Sequence, residues 1–337
     1  MRKDVVTGSA RDFVAELSEL QRRIRDAVRG QMAAQAREQW SRSARDDAGD
    51  TTFGIDVTAE DVLLPFCEAW GKKAPFVLIA EGLPPEGLTF GASAGSGTAF
   101  RLIVDPIDGT RGLMYDKRSA WCLAAVAPDR GPATCLSEIE CAVMTELPTT
   151  RAGFADRLWA VRGRGANGER EGLLDGSTRP LSLVPSQRPD LLHGFATVVN
   201  FFQGGKELAS LIDEEIVRRE RGGWNPGKAE VYTDQYICSG GQLAELALGR
   251  DRFVLDVRPL LHQALGIDSS LCSRPYDLCT ALIATEAGCV VTAPDGEPLR
   301  APLDVVTNVA FAGYANAQLA ARLQPMVTET LRRHGVL

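Results

Sequence analysis

The most constraining feature of the sequence is a pair of aspartates at the end of an apolar run. Residues 100–104 (FRLIV) have the composition of a buried strand and lead directly into residues 105–110 (DPIDGT). Pro106 keeps Asp105 extended, because a residue before proline avoids the helical conformation. The chain must then turn. The carboxylates of Asp105 and Asp108 can therefore converge at one strand end.

Oxygen ligands grouped in this way suit a hard divalent cation. The carbonyl of Ile107 adds another oxygen, and the amides of Gly109 and Thr110 can face a phosphate beside such a cation. A strand end with a turn, and no metal, explains an Asp-Gly pair alone. It explains the complete hexapeptide less well, so we interpret residues 105–110 as a candidate metal and phosphate site.

Two more carboxylates occupy similar positions in the sequence. Glu81 ends the apolar run of residues 76–80, and Asp277 begins a predicted helix over residues 276–287. An acidic residue at a helix start is often a cap or a partner of the helix dipole, which explains Asp277 equally well. Each residue alone is therefore weak support for a metal site.

The spacing of apolar residues predicts helices over residues 12–39 and 57–70. Polar residues 41–54 indicate a mobile loop, and the Gly, Pro and Ser content of residues 82–97 indicates another loop. Strand segments dominate residues 76–161.

From residue 195 onward, strands alternate with helices, as is typical of an α/β layer. We therefore predict an α/β protein, with α and β elements in layers. Its N-terminal α+β part, residues 1–187, carries the metal-binding motif. Its C-terminal α/β part, residues 188–337, completes the active site.

The charge balance restricts the partners. The chain has 44 acidic and 37 basic residues and a net charge of -7, which argues against nucleic acid, because phosphate-backbone binding needs clustered positive charge. It permits a phosphorylated small molecule, since bound metal ions supply positive charge locally. The polar start and the lack of a long apolar run predict a cytoplasmic protein without a membrane partner.

The cysteines and histidines restrict the kinds of site that the chain can form. None of the eight cysteines forms a C-x-x-C pair, and most lie in apolar stretches, which predicts buried free thiols. The three histidines are scattered along the sequence, so a histidine-rich metal site is not expected.

Residues 105–110 resemble the D-P-[IL]-D-G-T signature of the inositol monophosphatase superfamily, which includes fructose-1,6-bisphosphatases and bisphosphate nucleotidases. The segment ending at Glu81 resembles the upstream acidic motif of that superfamily. Tyr276-Asp277, followed by residues 286–288 (EAG) and 295–296 (DG), resembles its C-terminal motif. The order and rough spacing agree over about residues 50–315.

The resemblance implies alternating helix and sheet layers and an active site with two or three Mg²⁺ ions. The metal ligands that it implies are Glu81, Asp105, the Ile107 carbonyl, Asp108 and Asp277. It gives catalytic roles to Glu81, Asp108 and Thr110, of which Glu81 and Thr110 would position or activate the attacking water. Asp56 resembles an acidic residue of the family near a metal-linked loop, although a helix N-cap explains Asp56 equally well.

For the substrate, the resemblance implies phosphate binding at Gly109 and Thr110. Arg111 follows them and can contact a second anionic group, and Gln242 and Arg258 are further candidate substrate contacts. For the last two, a helix start and a solvated surface charge are competing explanations. Departures from the family pattern, such as Glu81-Gly82 in place of two glutamates, leave the substrate open.

The sequence thus predicts a homodimeric, Mg²⁺-dependent phosphatase that acts on a small phosphorylated metabolite, most simply an inositol or sugar monophosphate. Alternatives are a bisphosphate nucleotidase, a fructose-1,6-bisphosphatase and a histidinol-phosphatase-like enzyme. A noncatalytic regulator on the same fold, or a metal-binding sensor or scaffold, is the rival of another class.

Overall fold

The first half of the chain builds one large sheet covered by helices. A computed structural model describes residues 5–35, 37–40, 42–47, 50–92, 97–223, 225–268 and 271–337. The elements of this half are α1 (Val5–Ala34), α2 (Arg37–Trp40), β1 (Ser43–Asp47), β2 (Asp50–Phe53), α3 (Gly54–Gly71), β3 (Phe76–Ala80), β4 (Leu88–Phe90), β5 (Phe100–Asp108), α4 (Thr110–Met114), β6 (Ala120–Pro128), β7 (Cys141–Leu147), β8 (Phe154–Val161), β9 (Ala166–Gly172) and β10 (Thr178–Pro180).

The second half builds a smaller sheet with its own helices. Its elements are β11 (Gly194–Val198), α5 (Lys206–Arg221), β12 (Val231–Tyr232), α6 (Ser239–Ala247), β13 (Asp251–Asp256), α7 (Arg258–Leu265), α8 (Ala281–Ala287), β14 (Val290–Thr292), β15 (Phe311–Tyr314) and α9 (Ala317–Arg333). The predicted boundary at residue 187 lies in the connection between β10 and β11, and the division into two parts stays a prediction.

The large sheet has the strand order β10-β9-β8-β7-β6-β5-β3-β4. Its strands pair antiparallel except β3 and β5, which are parallel, with Ala80 opposite Val104. The residues that follow these two partners therefore lie side by side: Glu81 directly after the end of β3, and Asp105 in β5, which continues to Asp108. This register brings two of the predicted metal ligands to one edge.

Helices α1 and α3 cover one face of the large sheet. Leu17, Leu20 and Ile24 of α1 are fully buried, as their helical spacing predicted. Gln21 is buried among them, where its amide donates to the Val143 carbonyl at 2.7 Å and accepts from the Thr145 hydroxyl at 2.8 Å. A buried polar side chain with both groups satisfied fixes how the helix lies on the sheet.

The small sheet has the order β12-β11-β13-β15-β14, with β12, β11 and β13 parallel. Helices α6 and α8 contact both sheets and lie between them, and one apolar core extends through this layer. Helices α5 and α9 pack on the small sheet and on each other. The layers therefore follow one another as helix, sheet, helix, sheet, helix, which confirms the predicted fold class.

Three local predictions need correction. Residues 41–54 were expected to form a loop, yet β1 and β2 in this segment pair as antiparallel strands. The hydrogen bonds between strands come from the backbone, so the polar side chains do not prevent them. Residues 41, 48 and 49 lie outside the described part. Residues 82–97 include the edge strand β4, paired with β3, while residues 93–96 lie outside it. The helix predicted over residues 276–287 begins only at Ala281, after a run of turns over residues 275–280.

All eight cysteines are free thiols, and all except the partly exposed Cys135 are buried, as predicted. In the described part of the chain, no helix is both long enough and apolar enough to cross a membrane.

Candidate metal and phosphate site

The end of β5 supplies two carboxylates to one cavity. Asp105 and Asp108 are 1% and 6% exposed, and the pairing of β5 with β6 is irregular between them. The backbone N–H of Ile107 donates to the Asp105 carboxylate at 3.0 Å. This local hydrogen bond, together with the irregular pairing, turns both aspartates toward the same space instead of opposite faces of the sheet.

Gly109 makes the turn that follows. Its φ of 98° lies in the left-handed region, and a Cβ there would be 3.0 Å from the Cβ of Cys238. Only glycine meets both conditions without strain. The turn places Thr110 at the start of α4, so the expected phosphate-binding residues Gly109 and Thr110 both line the cavity. Their contact with phosphate stays a prediction.

The start of α6 closes the site from the other half of the chain. The Gly240 N–H donates to the Asp108 carboxylate at 2.6 Å, and the Cys238 thiol donates to the Asp108 carbonyl at 3.1 Å. A Cβ at Gly240 would lie 2.6 Å from the Leu123 side chain and 3.0 Å from the Asp108 carboxylate. The small residues of this segment therefore allow α6 to approach β5 closely.

Asp277 adds a third carboxylate from the turns before α8. Its oxygens accept a hydrogen bond from the Arg274 N–H at 2.5 Å. One oxygen each of Asp105, Asp108 and Asp277 lie within 4.8 Å of one another. Glu81 lines the same cavity. The structure thus brings the four predicted acidic ligands together, although they come from positions up to 196 residues apart in the sequence.

Burial and mutual repulsion shape the electrostatics. Burial, followed by the charges of Glu81, Asp108 and Asp277, raises the pKa of Asp105 well above its ordinary value. Burial and the charge of Asp277 raise the pKa of Asp108, against the lowering effect of the Gly240 N–H. Burial also raises the pKa of Asp277.

This set fits a divalent cation. Buried carboxylates that repel each other in this way are stable as anions only when positive charge is added. Hard divalent cations take carboxylate and carbonyl oxygens as ligands. The Ile107 carbonyl, 2.8 Å from the Thr110 hydroxyl, belongs to the same turn, and its role as a metal ligand stays a prediction.

Thr110 connects the turn to α3. Its hydroxyl lies 3.0 Å from an oxygen of Asp56 and 2.8 Å from the Ile107 carbonyl. The other oxygen of Asp56 accepts from the Phe53 N–H at 2.8 Å, as a helix-capping residue does. Asp56 is thus not the N-cap of α3, which is Phe53, but the third residue of the helix, whose side chain caps the Phe53 N–H. Its link to a metal-binding loop stays a prediction.

The cavity has a volume of about 350 Å³, which suits a small metabolite. Arg111 and Arg258 both line it. Arg258 is buried, with its guanidinium held by the Asp256 carboxylate at 2.5 Å, the Ser273 hydroxyl at 2.9 Å and the Leu271 carbonyl at 2.9 Å. Arg258 is thus a fixed part of the wall and not the solvated surface charge that the sequence also allowed.

Gln242 does not reach the cavity in the described part of the chain. It is 2% exposed, and its amide donates to the Tyr236 carbonyl at 3.0 Å. The expected substrate contact is therefore corrected, because the first turn of α6 points this side chain into the core between the sheets. Gln242 lies in the first turn of α6, in agreement with the competing explanation of a helix start.

Several residues that build the cavity wall were not predicted from the sequence. Asp256 lies behind the wall, where it holds Arg258, and it ends an apolar run as Asp105 follows one, so the same signal was present in the sequence. Phe201 and Phe202 line the cavity. Nothing in the sequence separates these two rings from ordinary core residues.

No protein-family model and no curated protein sequence matches this chain. Solved structures match it along nearly its whole length. One is a hypothetical protein of Pyrococcus horikoshii described as similar to inositol-1 monophosphatase. It has a TM-score of 0.62 and 15% sequence identity, and the match covers 94% of this chain and 98% of that one.

Two further structures carry names of known enzymes. An IMPase of Thermotoga maritima has a TM-score of 0.60 and 16% identity, with 96% of this chain and 100% of that one covered. The holo form of fructose-1,6-bisphosphatase from Leishmania major has a TM-score of 0.62 and 12% identity, with 94% and 93% covered. At such low identities the likeness concerns the fold. The chain has the layered fold of the inositol monophosphatase and fructose-1,6-bisphosphatase structures, as its hexapeptide motif predicted.

Proposed function

We propose that this chain is a Mg²⁺-dependent phosphatase that hydrolyses a small phosphorylated metabolite with water as the nucleophile. The observation that carries the proposal is the buried cluster of Asp105, Asp108 and Asp277, with oxygens within 4.8 Å of one another at a cavity of metabolite size. The likeness to inositol monophosphatase and fructose-1,6-bisphosphatase structures supports this reaction class.

The cations would be held by Glu81, Asp105, the Ile107 carbonyl, Asp108 and Asp277, and the family resemblance implies two or three of them. Bound Mg²⁺ neutralises phosphate oxygens and lowers the pKa of water. A buried carboxylate set needs this charge to remain ionised.

The residues of the turn prepare the nucleophile. A hydroxyl carries one hydrogen, so Thr110 donates either to Asp56 or to the Ile107 carbonyl, 3.0 and 2.8 Å away. When it donates, its lone pairs accept a hydrogen bond from water in the cavity, which orients that water. Glu81 lines the cavity and is the candidate to share in this task. The amides of Gly109 and Thr110 would bind phosphate oxygens at the start of α4.

The cavity volume of about 350 Å³ favours a compact substrate over a phosphoprotein or a nucleic acid. An inositol or sugar monophosphate stays the prediction that the family resemblance supplies. We also propose a homodimer on that resemblance alone. Light scattering that gives the monomer mass of 36.3 kDa would refute the dimer and leave the phosphatase proposal intact.

The test is a measurement of phosphate release from a panel of inositol, sugar, nucleotide and histidinol phosphates, with Mg²⁺ present. Asp105→Asn should abolish release. Asp175→Asn is the matched control, because Asp175 is exposed between β9 and β10 at the edge of the large sheet and does not line the cavity. No release from any ester, with the cation still bound, would favour a metal-binding regulator or sensor.

A further inference from the structure

The cavity wall contributed by the second half of the chain is aromatic. Phe201 and Phe202 follow β11, and both are partly exposed and line the cavity that holds the carboxylates. Their ring centroids lie 4.8 Å apart with an interplanar angle of 88°. Two rings at a right angle form a corner that offers both a ring face and a ring edge. Such a corner is complementary to another flat ring.

The corner lies in a short connection between β11 and α5. The Asn200 N–H donates to the side-chain oxygen of Gln235 at 2.9 Å, directly before the two rings. Gly204 and Gly205, with φ angles of 92° and 86°, follow Phe202 after one intervening residue and turn the chain into α5. The two rings therefore lie in a connection of seven residues, 199–205, between β11 and α5.

Two arginines of the cavity wall stack on these rings. The Arg258 guanidinium lies 4.6 Å from the centroid of Phe201, and the Arg111 guanidinium lies 5.1 Å from that of Phe202. Guanidinium groups and phenyl rings both stack on planar π systems. The wall thus combines aromatic surface with positive charge.

The polar groups beside the rings already have protein partners. The Ser239 and Ser273 hydroxyls lie 2.7 Å apart, and Ser273 also lies 2.9 Å from the Asp256 carboxylate. The same carboxylate holds Arg258 at 2.5 Å. These polar groups already serve to hold the wall, whereas the ring surfaces beside them can contact a ligand by stacking.

We propose that the substrate is a phosphate monoester whose alcohol part carries a planar aromatic ring, and that this ring stacks in the corner formed by Phe201 and Phe202. The inference rests on the proposed phosphatase function and selects one substrate class for it. Nucleobases and azoles share this ring chemistry, so the experiment must separate them.

The test compares esters that differ only by the ring. A nucleoside 5′-monophosphate and ribose 5-phosphate have the same phosphate and sugar, so their ratio of kcat/KM isolates the base. Purine and pyrimidine nucleotides form one arm, and an imidazole-bearing alkyl phosphate forms the other. We expect at least one ring-bearing ester to exceed ribose 5-phosphate and inositol monophosphate by about ten-fold or more, the range of base–aromatic stacking.

Variants assign the preference to the corner. Phe202→Leu keeps apolar volume but removes the ring, and should lower the ratio between the ring-bearing ester and ribose 5-phosphate about ten-fold, while Phe202→Tyr should keep it. Phe154→Leu is the matched control, because Phe154 is 53% exposed on β8 and does not line the cavity. It should leave the ratio unchanged.

Binding gives a readout independent of turnover. Calorimetry of the same pair on the Asp277→Asn variant should show tighter binding of the ring-bearing ester. Equal binding, or ribose 5-phosphate and inositol monophosphate hydrolysed at least as well as every ring-bearing ester, would overturn this inference and leave the phosphatase proposal standing. Absence of all phosphate release would refute the phosphatase, and the calorimetry would still decide whether the corner binds a ring.

Discussion

The carboxylate of Asp108 accepts a hydrogen bond from the backbone N–H of Gly240 at 2.6 Å, although the two residues are 132 positions apart. One belongs to the large sheet and the other to the first turn of the helix between the sheets. The site therefore forms only when both halves of the chain pack together. Its geometry depends on a glycine that touches no substrate in the proposed mechanism.

Gly240→Ala should separate these two residues. The added Cβ would lie 2.6 Å from Leu123 and 3.0 Å from the Asp108 carboxylate, so α6 must move outward. We expect a loss of about 1–3 kcal/mol in the free energy of unfolding, as for overpacked cores, and a large fall in turnover. Gly30→Ala is the control, because nothing lies within 4 Å of a Cβ there. Chemical denaturation that shows equal stability for both variants would contradict the account.

Asp108→Asn and Asp277→Asn should abolish turnover and leave the fold intact. Each removes one negative ligand with little change of shape, and we expect turnover to fall by at least about 100-fold, since even indirect metal partners contribute 10–100-fold. Circular dichroism should match the unmodified chain. Unfolding of both variants would instead assign these carboxylates a structural role.

Thr110→Val should lower kcat, whereas Thr110→Ser should retain most of it. The hydroxyl within 3.0 Å of Asp56 is lost in the first variant and kept in the second. Groups that position or activate a proton-transferring water contribute about 100-fold or more. Steady-state kinetics at saturating Mg²⁺ measures the difference. Similar kcat values for Val and Ser would show that the hydroxyl takes no part.

Asp251→Asn should stabilise the chain at pH 8 more than at pH 5. Burial, with the nearby charges of Glu245 and Asp234, raises the pKa of Asp251 from 3.8 to about 7. Because the folded chain holds this proton more tightly than the unfolded chain, the carboxyl destabilises the fold progressively as pH rises from about 4 through 7.

Asparagine does not titrate, so the variant lacks this penalty. We expect its stability relative to the unmodified chain to rise between pH 5 and pH 8 by about 1 kcal/mol or more, since each pKa unit corresponds to about 1.4 kcal/mol. Urea denaturation at both pH values measures it. The same difference at the two pH values would mean that Asp251 ionises normally.

The sequence predicted the carboxylates that line the cavity better than the rest of its wall. Asp105, Asp108 and Glu81 follow apolar runs, and strand pairing alone brings Glu81 and Asp105 together. Asp277 was a weak candidate by itself, because its position among the carboxylates depends on how α8 packs between the sheets. Local patterns carry no information on such long-range packing.

The wall of the cavity was even harder to predict from local sequence patterns than its carboxylates. Gln242 was a candidate contact but points into the core, whereas Phe201 and Phe202 line the cavity and were not singled out. An apolar residue after a strand is usually part of the core, and only the folded arrangement of the sheets decides which side of the wall it faces. The alternation of strands and helices, by contrast, was sufficient to predict the layers.

The most direct test of the account is whether hydrolysis depends on a divalent cation. Phosphate release from the best ester should fall to background after exhaustive chelation and return when Mg²⁺ is added. Asp105→Asn should show no return at the same Mg²⁺ concentration. Full turnover by the chelated, metal-free chain would contradict the central claim that the carboxylates of Asp105, Asp108 and Asp277 act through a bound cation.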